Sequence, residues 1–136
     1  MTQQEITLRV PGKREYVLVL RLALGGVAVL KDLDAGTLDD LRNAADEACD
    51  CLLHQGRPVE WLELSVQDGG SDLMVSLSAC HCPDANGRPD ENCEDETEIS
   101  RAVLETLIPE VRMTQLDCGC VTRIDMRLRK AVVAEA

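Results

Sequence analysis

Hydrophobic and polar positions alternate or recur along this chain in a way that lays out its elements in order. Ile6, Leu8 and Val10 alternate with polar residues and stop at Pro11-Gly12, which predicts a short half-buried strand. From Lys13 to about Leu30 the period changes: Val17, Leu20, Leu24 and Val27 fall three and four apart, as one face of a helix requires. Gly25-Gly26 weakens that helix or admits a close neighbouring backbone. After a break at 31–36, Thr37 is the N-cap indicated for a second helix, with Asp39 and Asp40 in its first turn and Gly56-Arg57-Pro58 after its end near Gln55.

The second helix has two stripes. Leu38, Leu41, Ala45, Ala48 and Leu52 form the core stripe, while Asp40, Ala44, Glu47, Cys51 and His54 follow one another beside it. Glu47 and Cys51 therefore stand one turn apart. Leu62, Leu64 and Val66, then Leu73, Val75, Leu77 and Ala79, give two alternating strands joined by Asp68-Gly69-Gly70-Ser71, a β-hairpin with one inner face. Residues 80–97, rich in Pro, Gly, Asn and acids, read as a loop; a short helix follows from about Glu98 to Ile108, ended by Pro109. Val111, Met113 and Gln115, a turn at 117–120, and Thr122, Ile124, Met126 and Leu128 complete a final hairpin.

The order β-α-α-β-β-α-β-β predicts one domain over residues 1–130, a two-layer α/β (α+β) sandwich with a largely antiparallel, mixed sheet and three helices on one face, followed by a tail at 131–136.

Composition narrows the function. With 25 acidic and 14 basic residues the net charge is −11, and no basic cluster with interleaved aromatics is present, which argues against nucleic-acid binding. The longest apolar run, Val17 to Leu30, is interrupted by Arg21 and Gly25-Gly26 and falls short of a membrane span. The first residues lack a secretory-signal layout, so a cytoplasmic location with reduced thiols is the expectation. Aliphatics must fill the core, because Tyr16 and Trp61 are the only aromatics.

Arg9 to Val17, followed by Asp39-Asp40-Leu41-Arg42-Asn43-Ala44-Ala45-Asp46-Glu47-Ala48-Cys49, resembles the anti-sigma-factor serine kinases of bacterial partner-switching systems, members of the histidine kinase-like ATPase (Bergerat) superfamily. The later hairpins and helix arrive in that family's order. The resemblance implies a second-helix Glu that activates the attacking group and, four residues on, an Asn that helps hold magnesium; Glu47 matches the Glu, and Cys51 occupies the Asn position. A thiol is a poor ligand for an ion that prefers hard oxygen donors. The family's following His falls at Gln55, with His54 one place early.

The family's adenine-binding Asp falls at Ala79, and its Gly-x-Gly at His81 and Pro83; a shifted alignment nominates Asp84 with Asn86-Gly87. Thr122 matches the family's Thr, whose hydroxyl supports that Asp, and Val121 stands in place of its Gly. Acids at 90–98 occupy the place of the glycine-rich lid. The resemblance thus implies a regulatory protein that binds a protein partner, a sigma factor or an anti-sigma antagonist, with a degenerate nucleotide pocket, no cofactor and a possible homodimer. The alternative is an active ATP-binding, magnesium-dependent serine-protein kinase.

Six of the seven cysteines form Cys-x-Cys pairs. On the family fold Cys51, Cys80, His81, Cys82, Cys118 and Cys120 converge on the nucleotide pocket, which nominates a zinc or iron–sulfur site and a thiol- or metal-dependent sensor. The plainer alternative is that these thiols are small core residues or loop residues tolerated in a reducing compartment. Arg123, Arg127 and Arg129 share the outer face of the last strand, either as a solvated surface or as a docking face for an acidic partner.

Overall fold

A computed structural model describes residues 4–55, 58–81, 93–116 and 120–130. Strand β1 (Gln4–Pro11) leads through one 3-10 turn (Arg14–Tyr16) into α1 (Val17–Leu30), then α2 (Ala35–Leu53), β2 (Val59–Asp68), β3 (Asp72–His81), α3 (Cys93–Leu107), β4 (Glu110–Gln115) and β5 (Val121–Arg129). The sheet order is β1-β2-β3-β5-β4. All four strand pairings are antiparallel, so the sheet is not mixed.

Strand alternation decides which face is dry. Leu62, Leu64 and Val66 of β2, Leu73, Val75 and Leu77 of β3, and Ile124, Met126 and Leu128 of β5 all point to the helix side and are buried. They meet Leu20, Leu24 and Val27 of α1 and Leu41, Ala45, Ala48 and Leu52 of α2 in one core cluster. A Leu buried this way contributes roughly 1.5–3 kcal/mol relative to exposure. The opposite face presents Trp61, Gln67, Arg123, Arg127 and Arg129 to solvent. There Asp125 accepts from Ser76 Oγ at 2.5 Å and from Arg123 Nε at 2.8 Å.

Several boundaries differ from expectation. The first helix starts at Val17 after the 3-10 turn, and it runs unbroken through Gly25-Gly26. A Cβ on Gly25 would lie 2.8 Å from an Arg42 guanidinium nitrogen, so Gly25 makes room for a side chain of α2, not for a backbone. The N-cap of α2 is Asp34, whose carboxylate accepts from the Thr37 N–H at 2.7 Å and thereby drops below its usual pKa. Helix α3 begins at Cys93, five residues before Glu98. Acids in the opening turns of a helix suit the positive end of its dipole, so a run that looks loop-like by charge is compatible with helix.

At the end of the molecule where β2 turns into β3, Asp68 gathers four elements. Lys31 Nζ from the end of α1 lies 3.0 Å from Asp68 Oδ2, Lys130 Nζ from beyond β5 lies 2.5 Å from Oδ1, and the Gly70 N–H donates to Oδ1 at 2.9 Å. These contacts hold the Asp68 carboxyl well below the ordinary carboxylate range. Lys31 also donates to Gln4 Oε1 at 2.8 Å, which brings in β1.

Candidate functional site

The C-terminal turn of α2 and the N-terminal half of α3 enclose a hollow of about 290 Å³, lined by Asp50, Cys51, His54, Gln55, Thr97, Ile99 and Ser100. Cys51 is 8% exposed and lies one turn beyond half-buried Glu47, as the helical spacing requires. His54 caps the helix and is exposed. Thr97, Ser100 and Leu104 make the buried stripe of α3, and Ile108 just past its end is buried in line with them.

Gln55 is the organising residue of this end. It is 2% exposed; its Nε2 donates to the Val121 carbonyl at 2.8 Å and to the Leu52 carbonyl at 3.3 Å, while its Oε1 accepts the Val121 N–H at 2.6 Å. The end of α2 is thereby tied to the start of β5. The polar residue just before Gly56-Arg57-Pro58 was the only local signal for this role.

The residues nominated from sequence are distributed as follows. Ala79 ends the buried row of β3 on the helix side with 9% exposure. Thr122 is half-buried, and its hydroxyl donates to the Thr114 carbonyl of β4 at 3.4 Å. Glu47, Ala79 and Thr122 are not among the residues lining the hollow.

The cysteines separate by strand parity. Cys80 pairs in register with Trp61 and is exposed on the open face, opposite to Ala79. Cys51 and Cys120 are buried, and both flank the Gln55–Val121 junction. Burial beside Asp46 and Asp50 pushes the Cys49 thiol up to about 12, so it is a small core side chain at neutral pH. His81 lies at the end of β3; Cys82, Asp84, Asn86, Gly87 and Cys118 are outside the described residues. Among the described residues no three of His, Cys, Asp and Glu come together as for a metal ion. Nor is any described helix long and apolar enough to cross a membrane.

No family model matches the chain. In sequence it is similar to the anti-sigma-F factor RsbW of Mycobacterium tuberculosis, found in two strains, with 32% identity over 74 residues. That match covers 54% of this chain and 44% of the relative, so the chain spans less than half the length of the curated proteins it matches. In structure it is similar to a crystal structure of the RsbU and RsbW domains of Rv1364c from the same organism, with a TM-score of 0.68 and 13% identity, over 93% of this chain and 32% of that one. The structural likeness carries the histidine kinase-like ATPase fold. The sequence likeness to the anti-sigma-F factor covers about half of this chain, and the structural likeness, which covers nearly all of it, is one of fold.

Proposed function

We propose that this protein is a regulator of the anti-sigma type that works by binding another protein, a sigma factor or an antagonist of anti-sigma factors, and that its nucleotide pocket no longer serves catalysis. The observation that carries this reading is the donor set at the family's pocket positions. Cys51 offers a thiol where magnesium needs a hard oxygen, and Ala79 offers a methyl group where the adenine amino group needs an acceptor. Glu47 and Thr122 are the retained members, and without the Asn and the Asp a helix carboxylate and a strand hydroxyl supply neither magnesium geometry nor an acceptor for the adenine amino group. The donor set does not suit magnesium–ATP, so no phosphoryl-transfer step follows from it. Protein recognition requires none of these groups.

A thermal-shift titration with magnesium–ATP tests the reading, because a ligand of the native state raises the melting temperature by mass action. No shift at millimolar nucleotide is expected. Clear stabilisation at sub-millimolar nucleotide would instead favour an active kinase that uses Glu47 as base. A third reading, a thiol- or metal-dependent sensor, is favoured by the two buried thiols Cys51 and Cys120 at one junction. Metal analysis of anaerobically purified protein checks it: near-stoichiometric zinc or iron supports the sensor, and its absence removes that reading.

A further inference from the structure

Strand β4 is an edge of the sheet: β5 pairs with one side of it, and the other side has no strand among the described residues. From Glu110 to Thr114 the register with β5 is unbroken, and the irregularity comes only after Thr114. Edge strands are ordinarily blunted by an internal proline, a bulge or a lysine. This stretch has none of the three, Pro109 standing just before it. A hollow of about 700 Å³ lies beside its first residues, lined by Glu105 of α3, Pro109, Glu110, Val111, Arg112 and Arg127 among others.

The two faces at this edge differ in chemistry. Val111 and Met113 lie on the helix side, where they pack on the core yet stay only half-buried. Glu110, Arg112 and Thr114 lie on the open face, in register with Arg127, Asp125 and Arg123 of β5. Arg127 Nη1 lies 3.5 Å from Glu110 Oε2, and Asp125 accepts from both Arg123 and Ser76. Arg112 is exposed and makes no ion pair among the described residues, the acid across from it being engaged by Arg123 and Ser76. On this part of the open face Arg112, Arg123, Arg127 and Arg129 outnumber the acids Glu110, Asp125 and Asp72, in a chain of net charge −11. The opposite edge is already matched: on β1 Arg9 pairs with Glu63 at 3.0 Å and lies over Trp61, and Ser65 donates to Glu5.

Resting on the protein-binding reading, we propose that the partner adds an extended segment to the β4 edge as a sixth strand, and that this segment alternates acidic and apolar residues. A strand added beside β4 continues its pleat, so every second side chain falls on the open face and the others on the helix side. The open-face set meets Arg112 and its neighbours, where a carboxylate completes an ion pair. The other set covers the exposed flanks of Val111 and Met113, with Glu105 on the same side, which favours an uncharged apolar side chain. Repulsion from the overall charge is screened beyond about 8 Å at physiological ionic strength, so the arginines in contact decide the sign.

Amide NMR of the isotope-labelled full chain tests this with three blocked synthetic peptides long enough to pair the whole of β4: one alternating Val and Glu, one with the same residues in two blocks, and one alternating Val and Lys. The alternating Val and Glu peptide should shift the 110–114 amides at up to millimolar concentration and slow their hydrogen exchange, and it should bind at least about tenfold more tightly than the other two. Arg112→Glu, an exposed substitution whose amide spectrum away from β4 should match that of the wild type, should weaken this peptide by about tenfold and narrow its advantage over the Lys peptide. No shift with any peptide, shifts centred away from β4, equal response to the alternating and block peptides, or an affinity unchanged in Arg112→Glu overturns the proposal. Nucleotide is absent throughout, so such a failure leaves the protein-binding reading, which the magnesium–ATP titration tests, standing with a different surface.

Discussion

The side-chain amide of Gln55 serves both backbone groups of Val121, accepting its N–H at 2.6 Å and donating to its carbonyl at 2.8 Å. These are two buried peptide groups of β5, and water does not replace a lost partner there. Gln55→Leu keeps the volume but leaves both unsatisfied, at roughly 1–3 kcal/mol per group. Urea unfolding should show a total loss of about 2–6 kcal/mol; a change within about 0.5 kcal/mol, the scale of an ordinary surface substitution, would refute the clamp.

The charge cluster at Asp68 makes stability depend on pH. The folded carboxyl titrates below its unfolded value near 3.8, so the unfolded chain binds the proton first as pH falls. The contribution is complete above that unfolded value and is lost as acid drives the pH down through the folded one. Asp68→Asn should therefore be destabilising at neutral pH, and its deficit relative to wild type should shrink below about pH 4. Denaturation of both proteins over a pH series checks this, and a deficit independent of pH would refute it.

Gly12 sits where β1 meets β2. A Cβ there would fall 2.2 Å from the Val59 carbonyl oxygen, while the Gly12 N–H donates to the Glu60 carbonyl at 2.9 Å. Gly12→Ala must displace backbone, with an expected cost of about 1–3 kcal/mol. Thermal unfolding should show the loss, and an unchanged melting temperature would show that the strand relaxes freely.

Thiol accessibility offers a third kind of measurement. Cys49 is fully buried with its thiol pushed up to about 12, so iodoacetamide at pH 8 should leave it unmodified in the native protein and label it in urea. Peptide mapping by mass spectrometry distinguishes it from Cys80 on the open sheet face. Native labelling of Cys49 at the rate of Cys80 would contradict its burial.

Element order, the Asp68–Ser71 hairpin and the inward rows of β2, β3 and β5 were legible because period-two alternation survives wherever one sheet face is dry. The start of α2 was misplaced by a few residues because Asp34 and Thr37 are both capping residue types, and only geometry shows that Asp34 accepts from Thr37. The early start of α3 was hidden by acids that suit a helix N-terminus as well as a loop. Gln55 was illegible for a different reason. Its partner lies 66 residues away, and a side chain that completes a distant backbone leaves no periodicity to read.

The strand order has a consequence for how the chain assembles. β5, the last of the described strands in chain order, lies between β3 and β4, which have no pairing with each other. Until it arrives, β4 has no strand partner; β4–β5 is then a local hairpin, whereas β3 meets β5 across the whole of α3 and β4. Loop-closure entropy must be met before the β3–β5 contacts form, which favours slow folding completed only once β5 is free. β5 therefore acts as the keystone of the sheet: its insertion completes β3 and β4 in one step, and through Val121 it sets the end of α2 as well.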